Sequence, residues 1–186
     1  MTMTIRPAAP LNADAALPLP LLMQHLKDPA DEAETVEAAR YGALNWIEQH
    51  VGRSLSLRQW KTYWTAAPIS CGALRLPMGP VSAVTAVSYD DPAQIWPSTS
   101  YRLSGDDLAT ASGLRWNTAF AGLPFAVEYV AGYADLGVEA PALRSAALIL
   151  AGHLFRNREE NSTAVLASMP FGVRMLCEPY RQPVMA

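Results

Sequence analysis

The sequence predicts an α+β fold. A helical bundle rests on a long helix at about 31–51 and a buried helix at about 141–158, with a small antiparallel β region between them and short C-terminal helices. Three observations carry this expectation. Apolar residues recur at helical spacing in two separated stretches, a β-type pattern fills the interval, and Gly/Pro punctuation marks each change of period.

Residues 1–17 are rich in Ala, Pro and Thr and show no apolar period, so they read as a flexible N-terminal arm. "PLLMQHLKD" supports a short helix that stops at the Asp28–Pro29 step, because a residue before proline avoids helical geometry. "DEAETVEAARYGALNWIEQHVG" forms the first long helix. Asp31 stands where an N-cap belongs, and Glu32 and Glu34 complement the positive end of the dipole. Val36, Ala43, Ile47 and Val51 share one face, and Gly52 suits the position just past the end.

"LRQWKTYWTA", "ALRLP", "VSAVTAVSYD" and "FAVEYVAGY" are rich in β-branched and aromatic residues and read as strands. In the last, Phe125, Val127 and Tyr129 alternate with Ala126, Glu128 and Val130, as a half-buried strand requires. Turns fall at Pro77-Met78-Gly79-Pro80, Asp90-Asp91-Pro92 and Gly105-Asp106-Asp107, and "YRLS" with "LRWN" reads as a further hairpin. After Gly137 the helical period returns, with Pro141 suited to the first turn. Leu143, Ala147, Leu150 and Leu154 form one stripe; Leu148, Ala151 and Phe155 form another. A helix apolar on two faces is expected to be buried between layers. "STAVLASMPFGVRMLCEPYR" gives short helical pieces broken by Pro170 and Pro179. The expected organisation is the arm at 1–17, a single domain over 18–181 and a tail at 182–186.

Composition narrows the function. Hydrophobic residues make up 51% of the 186 and charged residues only 17%, below the usual quarter, which suggests an exterior partly covered by partners. The net charge of −3, with Lys and Arg spread thinly, lacks the basic stripe of a nucleic-acid grip. Cys71 and Cys177 have no metal-ligand spacing and read as buried thiols of a reducing compartment. "MTMTIRPAAP" does not open a signal peptide, and "ALRSAALILAG" carries Arg144 and is too short for a bilayer span, so a soluble chain made in the cytoplasm is expected.

The residues with chemistry do not assemble into a site. His25, His50 and His153 lack the spacing of zinc ligands, and His50 sits in a last helical turn, where a partial positive charge complements the dipole. A Cys177–His153 nucleophile pair is disfavoured by Glu178, which would raise the thiol pKa. "GYADLG" lacks the lysine of a phosphate loop. Trp46, Trp60, Trp64, Trp96 and Trp116 stand in no run of basic residues and read as core or subunit contact. "NST" at 161–163 matches a glycosylation pattern that has no consequence in the cytoplasm. In "AGHLFRNREE", adjacent Glu159 and Glu160 point about 100° apart on a helix and cannot face each other. Arg156 and Glu160, four apart, can pair.

Four stretches in order carry a resemblance: "LLMQHLKDPADEAETVEAARYGALNWIEQHVGRSL", "LRLPMGPVSAVTAVSYDD", "FAVEYVAGYADLGVEAPALRSAALILAGHLFRNRE" and "MPFGVRMLCEPYR". Together, over most of residues 20–181, the chain resembles the phage head–tail connector, or adaptor, proteins and the similar adaptors of gene transfer agents. The resemblance implies a virion protein forming a ring of about a dozen subunits beneath the portal. Such a ring joins portal to stopper or tail terminator and leaves a channel through which DNA passes without sequence-specific binding. It implies no catalytic, cofactor or metal site and no membrane. Arg156, Arg158 and Glu159 are then expected as inter-subunit or loop-fixing contacts, and Tyr180 and Arg181 at the portal-docking end. Another head- or tail-completion protein is the alternative within the virion. A small cytoplasmic enzyme or ligand-binding module would need a pocket of convergent polar groups, which the sequence does not supply.

Overall fold

The computed structural model describes residues 3–27, 29–65, 72–89, 94–113, 123–157 and 170–182. The chain divides into two compact units that alternate along the sequence: residues 1–10 with 57–132, and residues 11–56 with 133–186. The single domain expected over 18–181 runs through both units.

The first unit is built of β-strands. Its five-stranded antiparallel sheet has the order β1 (Met3–Pro7), β2 (Arg58–Trp64), β8 (Phe125–Ala131), β4 (Val81–Tyr89), β5 (Gln94–Trp96). A three-stranded sheet has the order β3 (Ala73–Arg75), β7 (Asp107–Thr110), β6 (Tyr101–Ser104). β2 and β8 pair from Arg58↔Ala131 to Trp64↔Phe125, which points Trp60, Thr62 and Trp64 inward and Gln59, Lys61 and Tyr63 outward. The core is aromatic: Trp64 stacks on Phe125 with centroids 4.9 Å apart, and Trp60 and Tyr129 are buried beside Val87, Leu108 and Val127. The Tyr129 hydroxyl donates to the Pro77 carbonyl at 2.9 Å and lies 3.0 Å from Thr62 Oγ1. The expected turn at 77–80 is present. Gly79 is required there because a Cβ would overlap the Asp106 carboxylate, which accepts from the Val81 N–H at 2.9 Å.

Where composition suggested a flexible arm over 1–17, residues 3–7 form β1, paired antiparallel to β2 from Met3↔Trp64 to Pro7↔Trp60. The partner strand lies far downstream, and a five-residue edge strand containing Pro7 has no local period to announce it. "YRLS" forms β6 and pairs with β7 through the turn at Gly105, while "LRWN", its expected partner, lies outside the described residues, as do Asp90-Asp91-Pro92 and Cys71.

The second unit is helical: α1 (Ala13–Ala16), α2 (Leu19–His25), α3 (Ala33–Val51), α4 (Leu136–Glu139), α5 (Pro141–Arg156) and α6 (Phe171–Cys177). α3 and α5 pack through small and aliphatic side chains, among them Val36, Ala43, Leu44, Ile47, Leu143, Ala147 and Leu150. Gly52 ends α3 at φ 67°, its N–H donating to the Glu48 carbonyl at 3.0 Å, as its position predicts. Asp31, expected as N-cap, instead lies in a 3-10 turn (Ala30–Glu32), and Glu32 precedes α3 without a side-chain cap bond. α5 starts on Pro141 as expected and ends at Arg156, capped by Asn157. It buries one broad face; of its second stripe Ala151 is buried and Leu148 and Phe155 are half-buried against the helical core, while Leu154 of the first stripe and Ile149 are exposed among the described residues.

Residues 12–17 of the expected arm make contacts of their own. Asn12 caps α1 by accepting from the Ala15 N–H at 3.1 Å, and Ala16 and Leu17 are fully buried. Arg40 of α3, 2% exposed, donates through Nε to the Leu17 carbonyl at 2.7 Å. Its Nη1 donates to Glu37 at 3.0 Å, and its Nη2 pairs with Asp14.

Candidate assembly surfaces

The expected surface residues fall into three groups. Arg156 is exposed on the last turn of α5, with no ion-pair partner among the described residues. Its expected companions Arg158, Glu159 and Glu160 lie outside the described residues. Tyr180 and Arg181 close the described C-terminal stretch, a 3-10 turn (Glu178–Tyr180) following α6. That stretch is tied to the end of α3: Arg53 Nε donates to the Tyr180 carbonyl at 2.6 Å, and the Gln182 N–H donates to the Val51 carbonyl at 2.8 Å. The Tyr180 ring packs on the helical core, while Arg181 is exposed and stands 4.0 Å from Glu178. The stretch that carries Tyr180 and Arg181 is thus tied to α3 as far as Gln182.

Each group that could have made a reactive site is engaged in a contact of its own. His25 lies over Gly152, where a Cβ would sit 3.3 Å from its Nε2. His153 Nδ1 is 3.2 Å from the Asn157 amide at the end of α5. His50 stacks on Trp46 with centroids 4.6 Å apart. Burial, then Arg181, and to a lesser degree Arg174, lower the His50 pKa against the opposing pull of Glu178. Position in the last turn of α3 suggested a partial positive charge on His50; burial, together with the neighbouring arginines, favours the neutral ring instead. Cys177 is buried, and desolvation with Glu178 pushes its thiol up to about 11, so it stays protonated near neutrality. Among the described residues no group of three or more His, Cys, Asp or Glu could hold a metal ion, and no helix is long and apolar enough to cross a membrane. "GYADLG", excluded as a phosphate loop, is a capping turn: Asp135 accepts from the Gly137 N–H at 2.8 Å, and Glu139 accepts from the Ala134 and Asp135 N–H groups.

Two surface features went unremarked in the sequence. α6 buries Val173 and Cys177 but presents Phe171 (77% exposed) and Met175 (58%) on its outer side. Both pairs are spaced four apart in "FGVRMLC", so the pattern shows two stripes without saying which one faces the core. In the β unit, Thr4, Arg6, Lys61 and Tyr63 line an open cleft on the outward face of β1 and β2. It escaped notice because residues 3–7 had no visible strand partner.

No protein-family model and no curated protein sequence matches the chain. Solved structures do. A chain from the neck of an empty gene transfer agent particle, computed with C6 symmetry, matches with a TM-score of 0.78 and 20% identity. A chain from the virion of the native particle matches at 0.77 and 22%, and one from the native neck computed with C12 symmetry at 0.71 and 21%. In each case the match covers 98% of this chain and 97% of the other. Along nearly its whole length, the chain therefore has the fold of chains found in the neck and virion of gene transfer agent particles.

Proposed function

We propose that the protein is a head–tail connector, or adaptor, subunit of a tailed phage or phage-like particle. It forms a ring beneath the portal, links the portal to the stopper or tail, and leaves a channel for DNA. The observation that carries this reading is the end-to-end fold likeness to gene transfer agent neck chains, covering 98% of this chain. The C6 and C12 symmetries of those necks support a cyclic arrangement for this chain as well. Net charge of −3 suits a conduit through which DNA must slide, since a basic lining would hold phosphates. Groups that could react have structural duties instead, as the capping of α4 by Asp135 and Glu139 illustrates.

In this reading Arg156, Arg158 and Glu159 contribute to contacts between subunits, and Tyr180 with Arg181 lies at the portal-docking end. The bond from Arg53 to the Tyr180 carbonyl gives that end a fixed shape before any partner arrives. The test is to mix the full chain with the purified portal of its particle and image the product by electron microscopy. A ring stacked coaxially on the portal is expected. A monodisperse monomer that ignores the portal would overturn the proposal.

A further inference from the structure

The outward face of β1 and β2 carries a charge arrangement that the fold does not need. Arg6 stands directly opposite Lys61 in the antiparallel register, and Lys61 stands opposite Glu128 on β8. Like charges directly across two strands destabilise the pair. Lys61 Nζ lies 2.8 Å from Glu128 Oε1, while Arg6 has no ion-pair partner among the described residues, so the one carboxylate answers Lys61 and leaves Arg6 unmatched. Thr4 stands opposite Tyr63, and these four side chains line the open cleft. Two cations and two hydroxyls around one opening suit a carboxylate ligand, by charge-assisted hydrogen bonds.

The charge distribution along the chain indicates where such carboxylates come from. The β unit holds six Lys and Arg against five Asp and Glu; the helical unit holds eight against twelve. Most acids of the described helical unit are engaged. Asp14 and Glu37 meet Arg40, Glu48 accepts from the Leu55 N–H, and Asp135 and Glu139 cap α4. Asp31, in the 3-10 turn before α3, and Glu34, in its first turn, are exposed, and their carboxylates have no hydrogen-bond or ion-pair partner among the described residues. A ring is built from heterologous contacts, in which one patch of each subunit meets a different patch of the next. One chain must then carry two complementary patches, and this chain carries a cationic cleft and a free acidic helix start.

We infer that the Thr4–Arg6–Lys61–Tyr63 cleft receives the Asp31–Glu34 start of α3 from the neighbouring copy in the ring. The inference rests on the adaptor reading. A DNA backbone is the weaker occupant, because two cations beside Glu128 do not make the continuous basic stripe that phosphates need.

The experiment uses two charge-altered full-length chains, Arg6→Glu/Lys61→Gln and Asp31→Lys/Glu34→Lys, with portal-templated rings counted by electron microscopy. Each variant alone is expected to lose the rings, since its contacts then join like charges. An equimolar mixture is expected to regain them, because alternating subunits restore opposite charges at every contact. Circular dichroism melts establish that both variants are folded. Variants that each form rings as the wild type does, or a mixture of folded chains that stays unassembled, overturn the contact and leave the adaptor reading standing. A wild-type chain that forms no ring on the portal removes the adaptor reading and the contact with it. Duplex DNA retained by the wild type and released by Arg6→Glu/Lys61→Gln would assign the cleft to phosphates and overturn the inference.

Discussion

The two units solve the same problem in different ways. Each must hold part of the N-terminal stretch, whose partners lie much later in the chain. The β unit holds residues 3–7 with a ladder of backbone pairs against β2, five registers long. The helical unit holds residues 12–17 with the buried Leu17 and the three-way grip of Arg40 on Leu17, Glu37 and Asp14. Their cores differ accordingly. Stacked aromatics fill the β unit, and small aliphatic residues close the gap between α3 and α5. A ladder spreads its strength over many groups, whereas a single buried guanidinium concentrates it, so the two attachments should respond differently to one substitution.

The largest effect tests the aromatic core. Trp64→Ala removes a fully buried ring from its stack on Phe125 and should destabilise the β unit by about 4 kcal/mol, as large-to-small core changes do. Urea unfolding reads this, with a fall in midpoint at an unchanged slope. An equal loss from the outward-facing Tyr63→Ala would contradict the observed register.

The next effect tests the concentrated attachment. Arg40→Ala leaves a cavity and strands the Leu17 carbonyl, at a cost of about 3 kcal/mol. Asp14→Asn should cost under about 1 kcal/mol, because Asp14 is 82% exposed and water replaces the lost partner. Hydrogen exchange locates the loss: Arg40→Ala should speed exchange at Ala16 and Leu17, whose N–H groups bond to Asn12 and Ala13, while β1 stays protected. Faster exchange in β1 alone would mean that Arg40 supports the strand ladder and not residues 16 and 17.

These contrasts explain what the sequence could show. α3 and α5 were legible because Val36, Ala43, Ile47 and Leu143, Ala147, Leu150 repeat at helical spacing, and Gly52 and Pro141 punctuate the ends. β8 was legible from the alternation of Phe125, Val127 and Tyr129. β1 and α1 were not, since a ladder to a distant strand and a bond from Arg40 are long-range events that leave no local period. The surfaces followed the same divide. Arg156 was placed correctly at a helix end, but the pairing of Arg6 with Lys61 depends on a register invisible without the fold.

A smaller effect sharpens the β side. Tyr129→Phe removes the hydroxyl that serves both Pro77 and Thr62, and should cost about 1–2 kcal/mol with little change in packing. Adding Thr62→Val should cost less in the Phe background than alone, because the Thr62 hydroxyl has then already lost this partner.

The smallest effect concerns pH and belongs to the helical unit. Burial, then Arg181, with a further push from Arg174, hold the folded His50 pKa below 6.5, although Glu178 opposes them. The unfolded chain therefore binds the proton more readily, and stability rises with pH across that interval. The contribution is complete above the unfolded value and is lost as pH falls through the folded one. His50→Phe keeps a ring on Trp46 and removes the titration, so its melting temperature should fall less than the wild type's between about pH 8 and 5. Arg181→Gln removes one of the lowering charges and should give an intermediate slope. The β unit supplies no counterpart over this range: burial of Tyr129 moves its phenol upward, away from neutrality. Parallel curves for wild type and His50→Phe would mean that neither burial nor the arginines shift the ring, and that this stretch is held to α3 by its Arg53 and Val51 hydrogen bonds without any coupling to protons.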